Sequence, residues 1–242
     1  MIKRLRRWNT LFIAAALVIC AIVVFVAVRT MSPVLQTAGE SINTTPVLVF
    51  DAGHGGLDGG CSTPDGDVEK EINLNIVHVL DDLARLYGYE SVLTRETDKS
   101  IYDKGVTGIR NQKISDMDNR LEIFNTYDNA ICVSVHQNIF TDPKYSGAQM
   151  FYSETNDSNE VLAQIMQNKF RSTIQPENDR EIKLCGDELF LCYNCKNPTL
   201  MIECGFLSNP EEAAKLTDEA FQREVAYVIF SGLNDFTSAL PV

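Results

Sequence analysis

"VFDAGHGGLDGGC", residues 49–61, decides how the rest of the chain is read. It continues the apolar "PVL" of residues 46–48, so it stands where a strand ends and a glycine-rich loop begins. Glycine at a strand end suggests a phosphate cradle, but the spacing excludes both common kinds. A dinucleotide fingerprint needs glycine at its first, third and sixth positions; counted from Gly53 and Gly55, the sixth is Asp58. No Lys-Ser or Lys-Thr follows, so the stretch is not a P-loop. Asp51 and Asp58 would also repel a phosphate. What remains is a strand that delivers Asp51 and His54 to its C-terminal end, where open α/β sheets bind their ligands.

Outward from this loop, apolar runs alternate with amphipathic ones. "PVLVF" (46–50), "YESVLT" (89–94), "AICVSV" (130–135), "AQMFYS" (148–153) and "TLMIEC" (199–204) read as strands. "EKEINLNIVHVLDDLARLYG" (69–88) puts Ile72, Ile76, Val79, Leu80 and Leu83 on one helical stripe, with Gly88 placed to cap it. Further helices are predicted over 116–127 and 159–174, and two more follow the last strand, in "SNPEEAAKL" and "EAFQREVAYVIFSGLNDF". This alternation predicts a single α/β domain with a mainly parallel, mixed sheet flanked by helices. There is no internal repeat or low-complexity tract.

The charge is unevenly distributed. Of the chain's 21 basic residues, five (Lys3, Arg4, Arg6, Arg7, Arg29) lie in residues 1–30, which hold no acid. The other 212 residues therefore carry 16 basic against 33 acidic groups, a formal charge of −17. So acidic a domain gains no counterion-release attraction to nucleic acid, and nucleic acid is excluded as a partner. Residues 11–28 are 18 consecutive uncharged, mostly apolar residues, close to the ~20 that span a bilayer. With the basic cluster before them kept in the cytoplasm, residues 1–30 are expected to form an uncleaved signal-anchor. Residues 31–45 then form a linker, and 46–237 a catalytic domain on the cell-wall side of the membrane. Six cysteines (61, 132, 185, 192, 195, 204) fall in that exported part. "CYNC" at 192–195 lacks a second such pair and lies in an apolar run, so these are expected to be buried thiols with no redox role.

Three histidines occur in the chain. His78 sits inside the predicted helix and reads as a packing or surface residue. His54 and His136 each follow a strand directly, in "VLVFDAGH" and "AICVSVH", so a parallel sheet would bring both to one edge. Glu203 closes "TLMIE" and arrives at the same edge; a carboxylate ending such a run is costly to bury unless it is paired or metal-linked. Glu69 and Glu71 open the first helix, and the residues alone do not choose between them, since either suits a helix N-terminus. Two imidazoles and one carboxylate leave a fourth position open for water, the pattern of a catalytic zinc. A further, unligated carboxylate can then move the proton from water to a leaving amine. This inventory describes metal-dependent hydrolysis, with amide cleavage and deacetylation both within it.

Four motifs, "FDAGHGGLDGG", "EKEINLNIV", "VSVHQN" and "IECGFLSN", in this order and spacing, resemble the zinc-dependent N-acetylmuramoyl-L-alanine amidases of bacterial cell walls. The resemblance spans about residues 46–237. It implies one Zn²⁺ held by His54, Glu69 and His136, settling Glu69 over Glu71, and Glu203 as the catalytic general base and acid. The implied substrate is peptidoglycan, cut between the lactyl group of N-acetylmuramic acid and L-alanine. The anchored start, the compact length and "KGVTGIRNQKISDMDNRLEIFN" (104–125) are similar to the sporulation-specific members, which prepare spore-cortex peptidoglycan for muramic-δ-lactam formation and germination. That implies a location in the space between the membranes of the developing spore. Two residues depart from the family pattern: Ala52 stands where proline is usual, and Cys61 where a small apolar residue is usual. Cys61 and Cys204 are accordingly expected near the metal. Asn138 and Arg120 are candidates for contacts behind the ligands or with substrate, although a helix arginine taken alone is a surface residue.

Two rival readings follow from the same residues. Another metal-dependent wall hydrolase, a deacetylase or peptidase, would release acetate or shorter peptides. A non-catalytic wall-binding scaffold would have lost Glu203 or a ligand, and all four positions are filled. With no wall-binding repeats and a strongly acidic domain, the chain is expected to depend on its anchor, or on a protein partner, for localisation and metal retention.

Overall fold

A computed structural model describes residues 45–239. The expected anchor and all but the last residue of the linker lie outside them; among the described residues no helix is long and apolar enough to cross a membrane. In chain order the elements are β1 (Val47–Ala52), α1 (Glu69–Leu86), β2 (Ser91–Leu93), α2 (Ile109–Phe124), β3 (Ala130–Asn138), β4 (Gln149–Tyr152), α3 (Asn159–Thr173), β5 (Lys183–Leu184), α4 (Phe190–Asn194), β6 (Thr199–Phe206), α5 (Pro210–Leu216) and α6 (Glu219–Ala239).

The six strands form one sheet in the order β2-β1-β3-β6-β4-β5. β2, β1, β3 and β6 run parallel, and β4 pairs antiparallel with β6, so the sheet is mixed as expected. The central strands are buried along almost their whole length, β1 entirely. Such strands require cover on both faces, and the two faces are covered unequally. One face carries Leu48, Phe50, Val133, Val135, Leu200 and Ile202 against α1, α3 and α6, and holds the larger core. The opposite face carries Val47, Val49 and Cys132 under α2 and the short α4, with Phe124, Leu191 and Cys195. The apolar contacts of that second layer fall on the first half of the strands. On the same face the alternation of side chains then presents Asp51, Ser134, His136 and Glu203 toward the strand ends.

α2 begins seven residues earlier than its sequence suggests. Its buried positions are Arg120 and Phe124, so it has almost no apolar stripe to betray it. β5 and α4, of two and five residues, are likewise too short to show a period. Gly88 ends α1 as expected, with φ +84° and its N–H donating to the Arg85 carbonyl at 3.1 Å. His78 is exposed. All six described cysteines are free thiols, five of them buried.

α1 is the helix on which both the larger core and the site depend. Ile76, fully buried on its inner face, is expected to cost about 2–5 kcal/mol when cut to alanine. Urea denaturation of Ile76→Ala should show this as a lower midpoint at unchanged m-value; an unchanged midpoint would contradict the packing described.

Candidate active site

The loop after β1 is built by its carbonyls. Every one from Ala52 to Gly56 accepts a hydrogen bond from a side chain. Arg120 Nη1 (2.9 Å) and Arg95 Nε (2.8 Å) donate to Ala52, and Arg95 Nη2 (3.1 Å) and Asn73 Nδ2 (3.3 Å) to Gly53. Arg120 Nη2 donates to His54 at 2.6 Å, Ser100 Oγ to Gly55 at 2.8 Å and Lys70 Nζ to Gly56 at 2.7 Å. Held this way, His54 takes φ +64°, the only positive value outside glycine among the described residues. Such a conformation costs free energy in an L-residue and persists when its surroundings over-determine it.

Arg120 is therefore not a surface residue: it is 2% exposed. Its charge is met by Asp51 Oδ1 at 2.5 Å and by Asp116 Oδ2 at 2.7 Å. Asp51, 1% exposed, also accepts from the hydroxyls of Thr94 and Ser134, both at 2.6 Å. Burial alone would raise the Asp51 pKa, but Arg120 and the two hydroxyls hold it below the ordinary carboxylate value. Arg95 is 1% exposed, and nothing in the sequence marks it. It follows β2 with no motif around it, and only the fold shows that its guanidinium reaches the loop carbonyls.

His54, Glu69 and His136 meet at the strand ends, with one ligand-type atom of each within 4.8 Å of the others. Glu69 Oε1 lies 3.2 Å from His54 Nε2 and 3.1 Å from His136 Nδ1. Donor atoms around a tetrahedral ion with bonds of about 2.0–2.1 Å stand roughly 3.3 Å apart, so this donor set fits zinc in spacing and in type. Glu69 is 3% exposed and also accepts from Gln137 N (3.0 Å), Cys61 N (2.9 Å) and Asn73 Nδ2 (3.2 Å). Burial opposes its charge, yet the two imidazoles hold its pKa far below the usual range. Glu71, by contrast, is exposed.

Glycine is required where these groups converge. A Cβ on Gly53 would fall on the His136 ring, 2.7 Å from Nδ1 and closer still to Cε1 and Nε2. On Gly60, at φ +70°, it would stand 2.7 Å from His54 Cδ2 and nearer to a Glu69 oxygen. Cys61 and Cys204 lie near but outside the donor set: burial, followed by the Glu69 charge for Cys61, pushes both thiols well above their ordinary pKa. Cys61 Sγ instead faces the Gln137 carbonyl at 3.5 Å.

Glu203 pairs in register with His136 across β3 and β6. Its Oε2 is buried with no hydrogen-bond partner. Burial raises its pKa to about 7, against the pull of His136. Asn138, two residues beyond His136, lines the cleft that opens beside Glu203. Gly53→Ala is expected to displace the His136 ring and lower zinc affinity by at least tenfold with little loss of secondary structure, measured by competition with a chromophoric chelator and by circular dichroism. Unchanged affinity would show that the close approach is dispensable.

A sequence profile of the N-acetylmuramoyl-L-alanine amidase family matches residues 48–235. The chain is 31% identical over 187 residues to the germination-specific N-acetylmuramoyl-L-alanine amidase of Bacillus subtilis, covering 77% of this chain and 78% of that one. It is 23% identical over 231 residues to the amidase AmiA of Escherichia coli, covering 77% and 74%. Among solved structures, the CwlD amidase of Clostridioides difficile in complex with the GerS lipoprotein superposes with a TM-score of 0.77 at 35% identity, covering 81% of this chain and all of that one. A likeness in fold alone extends to AmiC2 of Nostoc punctiforme, with a TM-score of 0.68 at 24% identity. With its four motifs gathered at one sheet edge and a profile match over most of its length, the chain belongs to the N-acetylmuramoyl-L-alanine amidase family.

Proposed function

We propose that this amidase is a zinc enzyme of spore-cortex peptidoglycan, in which His54, Glu69 and His136 hold the metal and Glu203 moves the proton. The observation that carries the reading is the Glu203 carboxyl, one oxygen of which is buried and unpartnered, poised near neutrality beside a converging donor set. Zinc bound there supplies a Lewis acid for the scissile carbonyl oxygen and makes water more acidic.

Glu203 takes a proton from the attacking water as the oxygen–carbon bond forms at the lactyl carbonyl. It then gives that proton to the alanine nitrogen as the carbon–nitrogen bond breaks, releasing a lactyl carboxylate and a peptide amine. A carboxyl near pH 7 suits both halves of this transfer. Arg120 and Arg95 act as positioning residues through the backbone they hold, and Asn138 is placed to meet the substrate beside Glu203. Because a cation stabilises the ionised carboxylate, the acid limb of kcat/KM is expected at or below about pH 7.

The cortex assignment is supported by likeness to a germination-specific amidase. Residues 11–28 as an anchor, and the catalytic domain outside the membrane, complete the reading. A lipoprotein partner for localisation or metal retention is supported by the relative solved in complex with one.

Incubating the zinc-loaded protein with peptidoglycan should release stem peptides beginning with L-alanine, detected by mass spectrometry. Acetate or shorter peptides would overturn the bond assignment. Chelation should abolish release and added zinc restore it. Glu203→Gln should keep one zinc per chain and lose roughly 10²–10⁴ in kcat; a variant retaining most of its rate would remove Glu203 from the mechanism. Spores lacking the chain should have a cortex without muramic-δ-lactam, and its presence there would refute the cortex role.

A further inference from the structure

Beyond Glu203 the active face continues onto β4, where Gln149 pairs in register with Glu203 and Phe151 with Met201. A cleft of about 380 Å³ opens there, bordered by Glu203 and Asn138 on one side and by Arg180 and Lys183 on the other. Two adjacent cations are unexpected in so acidic a domain. No carboxylate among the described residues lies within ion-pair distance of either.

Arg180 is held firmly without a direct ion pair, although Glu212 is near enough to feel its charge. Its Nη2 donates to Gln149 Oε1 at 2.6 Å, and its guanidinium carbon lies 4.8 Å from the centre of the Phe206 ring. Its backbone N–H donates to Asn178 Oδ1 at 3.0 Å, and its carbonyl accepts from Arg171 Nη2 at 3.0 Å, tying the segment to α3. Its Nε is nevertheless buried with no partner at all. An unpaired buried donor on a charged group costs free energy; it is closed to solvent, and Nη1 is the guanidinium nitrogen left to the cleft that Arg180 lines together with Glu203. Lys183 Nζ stands 5.4 Å from the Phe151 ring, over the same cleft. Across the opening, Phe140 and Tyr145 pair edge to face at 4.8 Å while 52% and 39% exposed, an apolar wall for a chain passing between.

We propose that this cleft is the subsite for the peptide arm of the substrate, and that Arg180, assisted by Lys183, binds a free carboxylate carried beyond the first alanine. The inference rests on the amidase reading. Before cleavage the lactyl carboxyl is tied up in the amide and the neighbouring sugars are neutral, so an anion in the cleft must come from the peptide. A guanidinium fixed by Gln149, with its Nη1 free of partners among the described residues, is suited to a carboxylate, and Lys183 adds a second, more mobile charge. The acidic remainder of the domain repels such a peptide elsewhere, which confines it to this position.

The test compares two muramoyl peptides, one with the carboxylate of its second residue free and one with it amidated. The intact zinc-loaded protein is expected to favour the free acid by roughly ten- to a hundredfold in kcat/KM, the change lying in KM. Arg180→Gln should bring that ratio close to one, and Arg180→Lys should restore part of it. Lys183→Gln, an exposed substitution with little reason to disturb folding, should lower the ratio by a smaller factor. Calorimetric binding of the free dipeptide product and its amide, which needs no turnover, should show the same preference and the same loss in Arg180→Gln. Equal binding of the two forms by the wild-type protein overturns the subsite even if both substrates are cut. Preferential binding with no cleavage supports the subsite and places the failure in the amidase reading.

Discussion

The buried pair of Asp51 and Arg120 is the constraint from which the active face is assembled. Both side chains are almost fully removed from water, and each is met by further partners, so the cost of desolvation is offset by a saturated network rather than by one contact. The guanidinium that neutralises Asp51 spends its remaining donors on the carbonyls of Ala52 and His54. Charge neutralisation and loop placement are therefore one event. Arg95 repeats the arrangement from β2, on the carbonyls of Ala52, Gly53 and Lys70.

This explains how so glycine-rich a segment presents a histidine in a fixed place. Glycine permits the positive φ values and the close passage beside His136, but it does not specify them. Specification comes from two arginines, an asparagine, a serine and a lysine that catch five successive carbonyls. The cost of holding His54 in a left-handed conformation is met by those contacts, as expected where strain is stored at a functional centre.

The two carboxylates at the site show how environment divides their roles. Glu69 is buried and Glu203 part-buried beside the same imidazoles, but Glu69 is hydrogen-bonded through both oxygens and driven toward the charged form. Glu203 has an oxygen with no partner and rises toward neutrality. One is held in its charged form, and the other is placed to gain and lose a proton near neutrality.

Much of this was legible in the residue order. The 3.6-residue stripe of α1 and the apolar runs of β1, β3 and β6 declared themselves because burial leaves a periodic trace. His54, His136 and Glu203 could be assigned to one edge because parallel strands end together. Glu69 could be separated from Glu71 only through family likeness, since both suit a helix start; in the fold, the rotation of α1 turns the first inward and leaves the second in solvent. The sequence by itself determined the elements and the chemical inventory, because periodicity and side-chain type are local properties. Only the tertiary structure decided that Arg120 is buried, that Arg95 belongs to the loop, and that Arg180 faces the cleft without a direct ion pair. Those depend on which groups, some 30 to 70 residues apart in the chain, come within hydrogen-bonding distance, and no local pattern records that.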